Sequence, residues 1–172
     1  MGKFRIIVIA LVVLIGISGS AYADVALLQP GDFVGLTFWL VSIACLATTV
    51  FLFLERGSVL SKWTASVTVA GIITGVAFMH SMYVRNIWVA TGDAPIVYRY
   101  VDWLITMPLL TIQFYLVLSA VKKVSPTLFW KFLIIPLAMV LGGYAGEASY
   151  ISPFLGLVIW MVGWIYILYE IF

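Results

Sequence analysis

Five long, mostly apolar stretches, at roughly 33–54, 63–84, 97–120, 127–146 and 152–172, constrain this chain more than any other feature. Each supplies about the ~20 residues that a helix needs to cross ~30 Å of hydrocarbon. Inside a bilayer every backbone polar group must be paired within the protein, which leaves helices or a closed barrel. Stretches of this length and continuity specify helices. With 65% hydrophobic and 9% charged residues, the chain has too little charge to cover a water-facing surface. The expected fold class is therefore an all-α membrane protein. A net charge of +2 gives no electrostatic footprint for nucleic acid, so no such partner is expected. No phosphate-binding loop, metal-ligand cluster or catalytic constellation is present, and neither an enzyme nor a metal site is expected. The single cysteine, Cys45, lies inside an apolar stretch and reads as a small core residue.

Residues 1–23 have the layout of a secretory signal: Lys3 and Arg5, then the apolar Ile6–Ile17 run, then Ala21-Tyr22-Ala23 as a cleavage site. Cleavage leaves a mature N-terminus near Asp24, outside the cell. Charge placement agrees. The connections after the first and third stretches carry Arg56, Lys62, Lys122 and Lys123, with Lys131 one turn into the fourth. The other connections carry Arg85, Asp93 and Glu147. The positive-inside rule puts the first group in the cytoplasm of a bacterial cell (inner) membrane. Between the second and third stretches, Ile87-Trp88-Val89 favours extended backbone and Gly92-Asp93-Ala94-Pro95 favours a turn, so a short external hairpin is expected over 86–96.

The third stretch carries the chemistry. At ~100° per residue, Arg99, Asp102, Thr106 and Gln113 fall within about 60° of one another, with Leu110 on the same stripe. A cation, a carboxylate, a hydroxyl and an amide thus share one narrow face. An ionised Asp near the middle of a span costs ~3 kcal/mol or more on insertion scales, so this face must look into a bundle or a watery cavity. Arg99 and Asp102, one turn apart, could simply neutralise each other. Intramembrane ionisable groups more often mark an ion or proton route. Pro108 interrupts the helix ladder in mid-span. His80, in the second stretch, lies at a depth comparable to Asp102, where a contact would tune the carboxylate's hold on a proton.

The run Arg99-Tyr100-Val101-Asp102-Trp103-Leu104-Ile105-Thr106-Met107-Pro108-Leu109-Leu110 resembles the third helix of microbial rhodopsins, and of proteorhodopsins in particular. Similar strings follow in the family's order: Phe38-Trp39-Leu40-Val41, Phe78-Met79-His80-Ser81-Met82-Tyr83, Thr91-Gly92-Asp93-Ala94-Pro95, Gly143-Tyr144-Ala145-Gly146-Glu147-Ala148 and Tyr166-Ile167-Leu168-Tyr169-Glu170. The resemblance implies a seven-helix bundle enclosing retinal, bound to a lysine of the last helix as a protonated Schiff base. It implies a light-driven outward proton pump. Asp102 would be counterion and primary proton acceptor, His80 its hydrogen-bonded partner, and Arg99 the outward cation that favours the Asp102 anion. Thr106 matches the middle of the family's three-position motif. Leu110 matches the colour-tuning position, where leucine goes with green absorption and glutamine with blue. Trp103, Met139, Gly143 and Trp164 would be retinal-pocket walls. The lipid bilayer and retinal are the implied partners, with a homo-oligomer, pentamer or hexamer, as the implied assembly.

Two departures stand out. Where proton-pumping relatives place a carboxylic proton donor, this sequence has Gln113, which cannot titrate. Slow reprotonation follows. A slow-cycling photosensory rhodopsin is then an alternative, as is a non-retinal membrane scaffold or channel whose polar stripe serves only packing. Second, only five of the family's seven helices are expected, and the lysines are Lys3, Lys62, Lys122, Lys123 and Lys131, none deep in a stretch. The Schiff-base lysine is absent. The sequence reads as partial, cut after the fifth helix. As it stands, the chain is expected neither to bind retinal covalently nor to pump.

Overall fold

In the computed structural model, residue 29 and residues 31–171 are described. The expected signal peptide lies outside them. Five helices follow in order: α1 (Phe33–Glu55), α2 (Ser61–Thr91), α3 (Ile96–Val121), α4 (Pro126–Glu147) and α5 (Pro153–Ile171). All five are long and apolar enough to cross a membrane. Each packs mainly on its neighbour in sequence, α1 on α2, α2 on α3, α3 on α4 and α4 on α5. The short connections make successive helices antiparallel. One end of the bundle therefore carries the α2–α3 and α4–α5 connections, close to Arg99. The opposite end carries the α1–α2 and α3–α4 connections, close to Lys122.

Helix starts follow local chemistry. The Asp32 carboxylate caps α1 by accepting the Gly35 amide at 2.9 Å. Ser125 caps α4, accepting from the Thr127 amide, with Pro126 in the first turn where its missing N–H costs nothing.

The expected hairpin over 86–96 does not form. Helix α2 runs on through Ile87-Trp88-Val89 to Thr91 and reaches 31 residues, or roughly 46 Å at 1.5 Å per residue. It projects beyond a ~30 Å hydrocarbon layer. A tertiary contact overrides the local preference: the Trp88 indole donates to the Asp32 carboxylate at 3.1 Å, tying the end of α2 to the start of α1. Termination falls to Gly92, whose φ of 71° is left-handed backbone and whose amide closes on the Trp88 carbonyl at 2.7 Å.

In the body of the bundle small and neutral groups join the helices, as expected where lipid removes the hydrophobic drive. Helices α4 and α5 meet at Gly146 and Gly156, where a Cβ on Gly146 would stand 2.9 Å from the Gly156 Cα. Thr49 and Thr74 share a 2.7 Å hydrogen bond between α1 and α2. Pro136 lacks the N–H that would have paired with the Phe132 carbonyl, and the buried Thr111 hydroxyl of α3 donates to that carbonyl instead. A core of Leu128, Phe132, Met139 and Ile167 fills the α4–α5 seam. The outer faces are apolar, with Phe154 and Tyr169 among the most exposed side chains of α5.

Candidate functional site

The polar stripe of α3 sits on the inner side of this row of helices. Thr106 is buried, and Asp102 and Gln113 are half-buried. The Oδ1 atom of Asp102 is shut off from the surface and has no hydrogen-bond partner. Thr106 does not provide one, because its hydroxyl donates to the Asp102 backbone carbonyl at 3.0 Å. No hydrogen bond joins His80 to Asp102, although His80 lies near enough on α2 to interact with it electrostatically. Farther along, Gln113 donates through Nε2 to the Ser66 hydroxyl of α2 at 2.8 Å, while its Oε1 is buried without a donor. The stripe thus offers two unpartnered buried acceptors, one on a group that titrates and one on a group that does not.

Arg99 turns away from Asp102. Its Nη2 lies 2.6 Å from Glu147 Oε1 on α4, and the hydroxyl of the buried Tyr100 donates to Glu147 Oε2 at 2.7 Å. The guanidinium also sits 5.8 Å from the Trp103 ring centroid. Simple neutralisation of Asp102 by Arg99 is therefore not what the structure shows.

An aromatic cluster adjoins these residues. Trp103 packs against Tyr100 at 5.2 Å and against Trp160 of α5 at 5.6 Å between ring centroids. A cavity of about 220 Å³ is lined by Tyr100, Gly143, Glu147, Gly156, Leu157 and Trp160, among others. Gly143 faces the Tyr100 hydroxyl, which a Cβ there would meet at 3.4 Å. Of the four expected wall residues, Trp103 and Gly143 come together here. Met139 is buried and packs against Gly163 in the α4–α5 seam. Trp164 is 37% exposed, and Leu110 on the α3 stripe is 41% exposed.

Sequence reasoning missed Glu147 as a site residue and missed Trp160 altogether. Both were within reach of helical periodicity. Gly143 and Glu147 are four apart on α4, and Gly156, Trp160, Gly163 and Ile167 share the packed face of α5, which Trp164 does not.

Lys131, near the Lys122 end of α4, pairs with Glu170 at 2.7 Å and lies 5.6 Å from the Tyr166 ring. Outside the spans, the Asp32 carboxyl is held below the ordinary aspartate range, first by the Gly35 amide and then by the Trp88 indole.

With this geometry in hand, comparison with known proteins is decisive. The model of the bacteriorhodopsin-like protein family matches residues 32–172. The chain belongs to that family. Among its relatives, the green-light absorbing proteorhodopsin of Gamma-proteobacterium EBAC31A08 is 47% identical over 144 residues, covering 84% of this chain and 58% of the relative. The crystal structure of a blue light-absorbing proteorhodopsin from Med12 superposes with a TM-score of 0.72 at 49% identity, over 82% of this chain and 68% of that one. Xanthorhodopsin, described as a light-driven ion pump with dual chromophore, gives 0.74 at 29% identity, over 83% and 64%. This rhodopsin-family chain thus spans about 58% of the length of the curated relative it matches. It is an all-α, multi-pass membrane protein with a microbial-rhodopsin fold.

Proposed function

We propose that this chain forms part of a retinal-based, light-driven outward proton pump, with Asp102 as counterion and first proton acceptor. The observation that carries this reading is the buried, unpartnered Oδ1 of Asp102. A carboxylate oxygen withdrawn from water without a donor is costly unless a cation or a tightly held water meets it. Bound retinal supplies light absorption and, as a cationic imine, a proton whose acidity changes on illumination.

The residues present fit the charge and the ring of that group. Asp102 offers the anion, and Thr106, bonded to the Asp102 backbone, leaves the carboxylate free to accept. Trp103 and Trp160 pack as an aromatic wall, and Gly143 leaves room in the cavity that Trp160 borders. His80 acts on Asp102 through its field, which tunes how firmly the proton is held. The covalent anchor is not provided by these spans. Among the described lysines, Lys62, Lys122 and Lys123 lie at helix ends and Lys131 is engaged by Glu170. Retinal added to this chain alone is therefore expected to produce no covalent pigment.

Charge asymmetry supports placing the Lys122 end in the cytoplasm of a bacterial cell membrane, with the N-terminus outside after loss of the signal. Family resemblance supports a pentameric or hexameric ring. Gln113, bonded to Ser66 and unable to titrate, favours a slow cycle and keeps a photosensory role as the second reading.

The test is a chimaera in which this chain replaces the matching part of the green-light absorbing relative. Cells carrying it with retinal should acidify their medium on illumination, and Asp102→Asn should cut the initial rate by at least ~100-fold. A pigment that forms but moves no protons would leave the sensory reading. Undiminished pumping by D102N would refute the role given to Asp102.

A further inference from the structure

We infer that Glu147 is a positioning residue for the Asp102 site: by holding Arg99 on α4, it sets how firmly Asp102 binds a proton. The inference deepens the functional reading above and rests on Asp102 being the proton-accepting group. Arg99 and Asp102 lie three residues apart on one face of α3, so a free guanidinium has Asp102 within its range. It is not free. Glu147 takes Arg99 on one carboxylate oxygen at 2.6 Å and the Tyr100 hydroxyl on the other at 2.7 Å. Two consecutive residues of α3 are thus clamped by one side chain of α4, and the Trp103 ring braces the guanidinium from beside it.

The clamp has a fixed base. Glu147 follows Gly146, whose contact with Gly156 leaves no room for a side chain and locks the end of α4 on α5. The cavity bordering Glu147, Tyr100 and Trp160 leaves space beside the pair for a released guanidinium to swing. Few other charges compete. Toward Glu147, α3 presents Arg99 and Tyr100, and α4 adds Tyr144, which packs on Tyr100. The α5 residues around the cavity (Pro153, Gly156, Leu157 and Trp160) do not titrate. Toward Asp102, α2 presents His80 and α1 presents Cys45. Arg85 of α2 is bonded to Asn86.

While Glu147 is charged, the Arg99–Glu147 pair is close to neutral and exerts little net field on Asp102. Removing the Glu147 charge leaves an unpaired cation one turn from Asp102, which stabilises the Asp102 anion. At the effective dielectric of such sites the change amounts to about one to two pH units in the midpoint of Asp102 protonation.

The 172-residue chain in lipid nanodiscs can be titrated by infrared spectroscopy, with the Asp102 carboxylic-acid band assigned by its loss in Asp102→Asn. Glu147→Gln should move the band's midpoint down by about one unit or more, and adding Arg99→Gln to it should return the midpoint to the starting value. An unmoved midpoint in E147Q, or a shift that survives R99Q, overturns the inference. Should E147Q lose helicity, Arg99→Gln alone decides. Losing Arg99 leaves the Glu147 carboxylate unpaired, so the midpoint should rise by about half a unit or more, and Arg99→Lys, which keeps the pair, should restore it; an unmoved midpoint in R99Q overturns the inference. No retinal enters this measurement. Failure of the chimaera to pump therefore condemns the functional reading and leaves the clamp standing, whereas an unmoved band condemns the clamp alone.

Discussion

The two halves of α3 make unlike connections to their neighbours. Toward the Arg99 end, Arg99 and Tyr100 converge on a carboxylate of α4, and Asp102 keeps a buried oxygen unpartnered. Toward the Lys122 end, Gln113 reaches Ser66 and Thr111 reaches the Phe132 carbonyl, all through neutral groups. The same contrast holds between α1 and α2, where Asp32 with Trp88 marks one end and Thr49 with Thr74 the body of the bundle. The charged pair Lys131–Glu170 lies on the far side of the Lys122 half, between α4 and α5 rather than on α3. One half of the α3 stripe thus gathers charged and titratable groups, and the other joins helices through neutral ones.

The largest effect should come from giving the neutral half a titratable group. In the pigmented chimaera, Gln113→Glu should speed dark recovery by at least ~10-fold, since a positioned general acid is worth 10²–10⁴ in favourable cases. Ser66 is already in place to receive a hydrogen bond from the protonated acid. Recovery at an unchanged rate would break the comparison, because the Lys122 half would then not limit proton return at all.

Much of this contrast was legible in the sequence. Five apolar stretches gave five helices, with ends within a few residues except where α2 runs on to Thr91, because length and hydropathy in lipid leave little choice. Periodicity alone put Arg99, Asp102, Thr106 and Gln113 on one face. Their partners were not legible. Arg99 had two carboxylates within plausible reach, one local and one 48 residues away, and the choice depends on how α4 packs on α3, where Tyr100 meets both Tyr144 and Glu147. The end of α2 was misread for a similar reason. Ile87-Trp88-Val89 favours extended backbone locally, and only the distant Asp32 makes helix the better state for Trp88. Trp164 was named a pocket wall from the family resemblance, and Trp160 went unnamed although its spacing from Gly156 and Gly163 puts it on the packed face of α5, where it meets Trp103.

A smaller effect is expected from Thr111→Val, which keeps the shape and removes the hydroxyl that satisfies the Phe132 carbonyl. With Pro136 unable to offer its N–H, that carbonyl is left buried without a donor, at ~1–2 kcal/mol. Unfolding of the reconstituted chain by denaturing detergent should show this loss, and Thr111→Ser should recover most of it. The Asp102 infrared midpoint should not move in either variant. Movement there would mean that the neutral half also shapes the proton site, and the division between the halves would blur.

The smallest effect concerns acid. Asp32 is half-buried, and its carboxyl is held below the ordinary range by the Gly35 amide and then the Trp88 indole. A depressed folded-state value means that the carboxylate favours the folded state at pH values above the unfolded range of ~4, and that this contribution fades as pH falls through the folded value. The tie between α1 and α2 at the Arg99 end should accordingly loosen only in acid. The indole N–H resonance of Trp88 in the reconstituted chain should titrate with a midpoint below ~4 and lose that titration in Asp32→Asn, which keeps a capping oxygen without the charge. The hydroxyl pair Thr49–Thr74 has nothing to protonate and should hold its geometry over the same range. If both contacts loosened together, acid would be acting on the α1–α2 seam as a whole, and the ionic character assigned to its Arg99 end would be wrong.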